Sequence, residues 1–158
     1  MKKVAISGQP VIPPGQYPNW QNQKLHLTAF QEIALDWKLD PKKMEGTCHI
    51  NGKPFSVSLR PFMGVIGMPP QDTGIYSTWP PRFCGGNIDC KELVKGSALY
   101  LPIPVHGGYL SIGDGHALQG DGEASCQAIE CPMEMVDVTI HLHKNMRLAN
   151  PGASIMLP

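Results

Sequence analysis

From residue 25 onward, apolar and polar positions alternate in short runs that turn residues interrupt, the pattern of half-buried strands. The clearest case is residues 47–50, Asn51-Gly52 and residues 55–59, because Asn-Gly tolerates the positive φ angles of a type I′ hairpin turn. A looser alternation over residues 26–39 ends at Asp40-Pro41. Residues 124–130 and 135–143 predict two further strands, the second alternating cleanly at Val136, Val138, Ile140 and Leu142. Residues 99–105 predict a strand whose Pro102 and Pro104 mark an edge or a bulge. Residues 60–70 are apolar but cut by Pro and Gly, so a buried, irregular segment is expected there. Residues 88–94 suit a short strand or one helical turn. Seven to ten short strands without an amphipathic helix predict an all-β fold: a sandwich or barrel of short, mostly antiparallel strands with Pro/Gly-rich loops and little helix.

Composition sharpens this picture. At 158 residues the chain has the size of one domain with a substantial core. Its 17 glycines and 16 prolines are spread along the sequence, which keeps any helix short. Residues 1–24 concentrate Pro, Gly, Gln and Asn and read as an extended arm, with a short strand only at residues 4–6. Residues 25–158 then form a single β-rich domain. With 13 basic and 13 acidic residues the formal net charge is zero, which argues against a nucleic-acid binder and leaves little self-repulsion against homo-oligomerisation. No apolar run is long enough to span a membrane, and the N-terminus lacks the pattern of a secretory signal. The odd set Cys48, Cys84, Cys90, Cys126 and Cys131 contains no CxxC pair, so reduced thiols in the cytoplasm are expected.

Chemistry is concentrated in residues 111–123. Asp114, His116, Gln119, Asp121 and Glu123 fall within ten residues, among Gly113, Gly115, Gly120 and Gly122. Glycine frees a loop to turn sharply and to approach a ligand. A divalent cation can take the His116 imidazole with carboxylates from Asp114 and either Asp89 or Asp121. Mixed nitrogen and oxygen ligation suits zinc, with calcium or manganese as alternatives. Partial burial would raise the pKa of Glu123 and suit it to move a proton near neutrality. The segment 85–89 adds two glycines whose amides can point at a ligand, flanked by Asn87 and Asp89, although ordinary turn preferences explain such a run equally well. His106 precedes Gly107-Gly108 and is a third candidate. His141 and His143 share a strand face and read as solvated.

Four phrases in order, residues 60–67 (RPFMGVIG), 85–89 (GGNID), 91–102 (KELVKGSALYLP) and 113–123 (GDGHALQGDGE), resemble the acetamidase/formamidase family, as does Ala128-Ile129-Glu130. The resemblance implies a cytoplasmic, oligomeric, largely β hydrolase that splits short aliphatic amides into carboxylate and ammonia. The clustered side chains themselves motivate the roles: Asp89, Asp114 and His116 would hold a metal, and Glu123, Asp121 and Gln119 would be catalytic. Asn87, Gly86 and His106 would line the substrate. A nucleophilic Cys126 with His116 as base is a variant of the same class. Relatives carry an N-terminal β-rich segment and a C-terminal segment with helix, neither recognisable here, and His106-Gly107-Gly108 replaces a small or apolar residue followed by Gly-Ala. The alternatives are therefore a non-catalytic β binding module or one subunit of a split amidase, with a partner chain supplying the remaining family segments.

Overall fold

The Asn-Gly hairpin forms as its sequence dictates. Asn51 and Gly52 both take positive φ, 51° and 75°, and join β3 (Glu45–Ile50) to β4 (Lys53–Ser58) in antiparallel register from Ile50↔Lys53 to Glu45↔Ser58. The computed structural model describes residues 3–6, 35–123 and 127–155. Two neighbouring strands, β1 (Lys3–Ile6) and β2 (Leu35–Asp40), extend this hairpin into an antiparallel sheet of order β1-β2-β3-β4. The remainder of the Pro/Gly-rich arm and residues 26–34 lie outside the described residues.

The described chain divides into two compact units, the first running to Leu59 and including Gln127, the second holding the rest from Arg60 onward. Trp37, Cys48 and Leu59 are the buried apolar residues of the first. The second is built on an antiparallel sheet of order β6-β5-β8-β9, comprising β6 (Gly85–Asn87), β5 (Phe62–Gly67), β8 (Ser111–Leu118) and β9 (Ile129–Glu130). A separate ribbon pairs β7 (Ala98–Tyr100) with β10 (Gly152–Ser154). The buried core of this unit contains Phe62, Cys84, Leu93, Ala117, Ala128 and Ile129. The fold is all-β and antiparallel, and the one short helical element among the described residues is a 3-10 turn at Asp121–Glu123.

Several local expectations change. Residues 60–70 contain the regular central strand β5, because Gly64 and Gly67 let neighbouring groups approach it closely rather than breaking it. Gly85-Gly86-Asn87 is a strand rather than a turn; Gly85 and Gly86 take φ of 89° and 121°, and Gly85 lies so close to β5 that a side chain there would strike the Ile66 carbonyl. The glycine-rich segment read as a loop is mostly strand β8, bonded on both sides. Residues 88–94 contribute only an isolated bridge, Phe62↔Val94. The strand expected at residues 99–105 is confined to Ala98–Tyr100, and that at 124–130 to Ile129–Glu130, with residues 124–126 outside the described set. Residues 135–143 belong to no sheet among the described residues. Alternation alone does not make a strand, since its backbone groups need a neighbour.

Candidate metal centre

The pairing of β5 with β8 determines which side chains meet. The register Met63↔Gly115 and Val65↔Gly113 sets Gly64 directly opposite Asp114. The Gly64 carbonyl accepts two backbone hydrogen bonds, from the N–H groups of Ile88 and Asp89, both at 3.0 Å. Asp89 is thereby fixed beside β5 with φ of 47°, and Asp114 is held at φ of 60°. Non-glycine residues at such angles are uncommon and persist where surrounding structure demands them. A Cβ added at Gly64 would lie 2.5 Å from Asp114 Oδ2, 2.6 Å from Asp89 Oδ1 and 3.0 Å from His116 Cε1. Only glycine leaves these three side chains a shared space.

His116 is almost completely buried, at 1% exposure. It packs edge-on against its cross-strand partner Phe62, with ring centroids 5.1 Å apart. Its orientation follows from a chain of hydrogen bonds. Gln119 Nε2 donates to the Asp89 carbonyl at 2.6 Å, which leaves Gln119 Oε1 as an acceptor; that oxygen lies 2.9 Å from His116 Nδ1. His116 Nδ1 therefore carries hydrogen, and in the neutral imidazole Nε2 presents its lone pair. Nε2 faces two carboxylates, with Glu130 Oε2 at 3.1 Å and Asp114 Oδ1 at 3.2 Å. Neither sits in line for a hydrogen bond, so Nε2 is a buried polar atom without a hydrogen-bond partner, as is Asp89 Oδ1.

A lone pair facing anionic oxygens calls for a positive charge between them. In the protein alone a proton supplies it. Burial pushes the His116 pKa down, but contact with Glu130 and the charges of Glu130 and Asp114, with help from Gln119, outweigh burial and raise it to about 9. Glu123 is raised to about 7, by burial first and then by the charge of Asp89. Asp89 is also raised, by burial and by Asp114. Two groups bring ligand atoms within 4.8 Å of one another: Asp89, Asp114 and His116, and His116, Glu123 and Glu130. The donor set, the two orphaned buried atoms and the space kept by Gly64 fit a divalent cation.

Five of the nine residues singled out by sequence therefore converge: Asp89, Asp114, His116, Gln119 and Glu123. Asp121 points elsewhere; its side chain is 91% exposed and pairs with Lys91 Nζ at 2.5 Å, which holds its pKa below the usual range. Asn87 spends its amide on the Trp79 carbonyl at 3.0 Å. Gly86 serves β6, and His106 is exposed at the start of a glycine turn. Cys126 lies outside the described residues. Glu130 and Gly64 escaped the sequence reading as site residues. Glu130 reaches the site because β9 pairs His116↔Glu130, a long-range register with no local signal.

The family model for "Acetamidase/Formamidase family" matches residues 71–158, more than half of the sequence. This chain belongs to the acetamidase/formamidase family. A formamidase of Methylophilus methylotrophus is 57% identical over 54 residues, covering 34% of this chain and 13% of that protein. An acetamidase of Mycolicibacterium smegmatis is 52% identical over 54 residues, with the same coverage. The crystal structure of an acetamidase from Yersinia enterocolitica superposes with a TM-score of 0.63 at 28% identity, covering 82% of this chain and 38% of that one. This family member thus spans well under half the length of that structural relative. The converging cluster, apart from Gly64, falls inside the residues that the family model matches.

Proposed function

We propose that this chain carries a metal-holding site for the hydrolysis of short aliphatic amides, such as formamide or acetamide, to carboxylate and ammonia. Family membership supports amide hydrolysis. The observation that carries the metal reading is the pair of buried, unpartnered atoms, Asp89 Oδ1 and His116 Nε2, across the gap that Gly64 keeps open. Asp89, Asp114 and His116 would hold the ion, with zinc the best match to one imidazole and two carboxylates. When bound, such an ion supplies Lewis acidity, polarising a carbonyl and lowering the pKa of water to about 7.

The protein groups divide the remaining work. Glu123, with a pKa of about 7, holds a proton through much of the neutral range and can give it to the amide nitrogen, which must be protonated to depart as ammonia. Gln119 is a positioning residue: both ends of its amide are engaged, one orienting His116 and the other gripping the Asp89 backbone. Glu130 faces His116 Nε2 from β9 and, with Glu123, offers a second group of ligand atoms around the same imidazole. The substrate is a small amide. A homo-oligomer in the cytoplasm is part of the same proposal, in keeping with the unpaired thiols of Cys48, Cys84, Cys90 and Cys131.

Ammonia release from formamide and acetamide, with zinc, manganese or calcium added, tests this reading. The expected result is turnover that falls at least about a hundredfold in Glu123→Gln, the usual weight of a general acid, while bound metal is retained. Retained metal without turnover would support the metal site and refute amide hydrolysis by this chain alone. Absence of both metal and turnover would overturn the proposal.

A further inference from the structure

The turn that carries Glu123 has little of its own to hold it in place. The backbone bond that closes it, from the Glu123 N–H to the Gly120 carbonyl, measures 3.4 Å, longer than the usual limit of about 3.2 Å. Gly122 and Glu123 both take positive φ, 61° and 47°, so Glu123 sits in a backbone conformation that side chains disfavour. Packing adds nothing at the glycines, because a Cβ built at Gly120 or Gly122 would meet no atom within 4 Å. What fixes the turn comes from outside it.

Among the described residues, the segment 89–91 attaches to it at three points. Gln119 Nε2 donates to the Asp89 carbonyl at 2.6 Å just before the turn. At the other end the Glu123 carboxyl lies against that of Asp89, in hydrogen-bond contact. Between the two, Lys91 Nζ pairs with Asp121 Oδ1 at 2.5 Å. Asp89 is itself anchored, since its N–H bonds the Gly64 carbonyl at 3.0 Å, so the segment is the fixed side and the turn is held to it. The Gln119 bond precedes the turn and leaves its course open, and a lone contact at Glu123 would leave the backbone before it free to swing. The Lys91–Asp121 pair closes that gap, joining the residue two positions after Asp89 to the residue two positions before Glu123. With the Asp121 side chain 91% exposed, the pair contributes little to global stability. Holding a short turn that has no packing of its own requires little. We infer that Lys91 and Asp121 form a clasp that positions Glu123 against Asp89 for its proton transfer. Both are positioning residues that act through the turn. The reaction that Glu123 serves rests on the amide-hydrolysis reading above, whereas the clasp rests on the geometry.

Charge reversal and its repair test this in the zinc-loaded full chain. Lys91→Glu and Asp121→Lys each turn attraction into repulsion, and each should lower kcat for formamide roughly tenfold with KM unchanged, since a reversal counts about double the loss of an exposed pair. The double variant Lys91→Glu/Asp121→Lys should recover kcat to within about twofold, the mark of a direct interaction in a double-mutant cycle. Zinc content should stay the same throughout, because Asp89, Asp114 and His116 do not rely on the pair. Backbone order parameters from nitrogen-15 relaxation give a readout that needs no turnover. Residues 121–123 should show about 0.85 in the parent, below about 0.6 in either reversal, and the parent value again in the double variant. A parent chain that turns over no amide refutes hydrolysis by this chain alone, and the order parameters then decide the clasp by themselves. A turn that stays rigid in both reversals overturns the inference. So does a turn that loosens while kcat is unmoved, or a double variant that repairs neither.

Discussion

Gly64 shows how a residue without a side chain can define a site. Its missing Cβ gives Asp89, Asp114 and His116 room to converge, and its carbonyl anchors the backbone of Asp89. Gly64→Ala is therefore expected to fold with a displaced carboxylate and to lose divalent-metal affinity by about one to two orders of magnitude, the usual effect of disturbing what orients a ligand. Calorimetric titration of the variant against the parent protein checks this, and unchanged affinity would count against the geometry. The charges around His116 also predict a pH dependence for the metal-free protein. The His116 pKa is raised from 6.5 to about 9, so its stabilisation is complete below about 6.5 and is lost as pH rises through about 9. Glu123, raised from 4.5 to about 7, acts in the same direction over a lower window, and so does Asp89, because the folded protein holds their protons more tightly than the unfolded chain. Metal-free protein should melt at progressively lower temperature from about pH 5 to pH 9. A saturating divalent cation should oppose that trend, because the ion takes the place of the protons. Melting curves with and without chelator would decide, and a metal-free stability that rises with pH would contradict the burial of these carboxylates around His116.

Among the elements, those with a local cause were legible and those with a distant cause were not. Asn51-Gly52 dictates its own turn, so β3 and β4 could be read directly from the chain. Gly52→Ala should cost about 1 kcal/mol, since φ of 75° penalises a Cβ even where no neighbour obstructs it; chemical denaturation would measure this, and no loss would mean that the turn relaxes. Strand β8 was hidden because glycine and charged residues have low strand propensity, yet β5 and β9 bond it on both sides. Asp89, Asp114 and His116 could be picked out as candidates because imidazole and carboxylate stand out chemically in any sequence, and the fold brings the three together. Gly64 and Glu130 were not, since their places depend on strand register between distant segments. Asp121 misled because proximity in sequence placed it beside Glu123, whereas Lys91 draws its carboxylate outward. Residues 135–143 alternate as a strand does but pair with no strand among the described residues, since alternation supplies no backbone neighbour.

At the scale of the whole chain, what matters is where the converging residues lie. The chain spans 38% of the length of the Yersinia acetamidase it resembles, yet Asp89, Asp114, His116, Gln119, Glu123 and Glu130 all lie within one compact unit. The proposed metal site needs only this unit, whereas turnover can also depend on residues that another copy or another chain supplies. That separation makes metal content the most direct measurement. Elemental analysis of chain purified without chelator, together with His116→Ala and Asp114→Asn, should find close to one divalent ion per chain in the parent protein and almost none in either variant. A parent protein free of metal, with no rise in melting temperature on adding zinc, manganese or calcium, would contradict the assignment of this cluster as a metal centre.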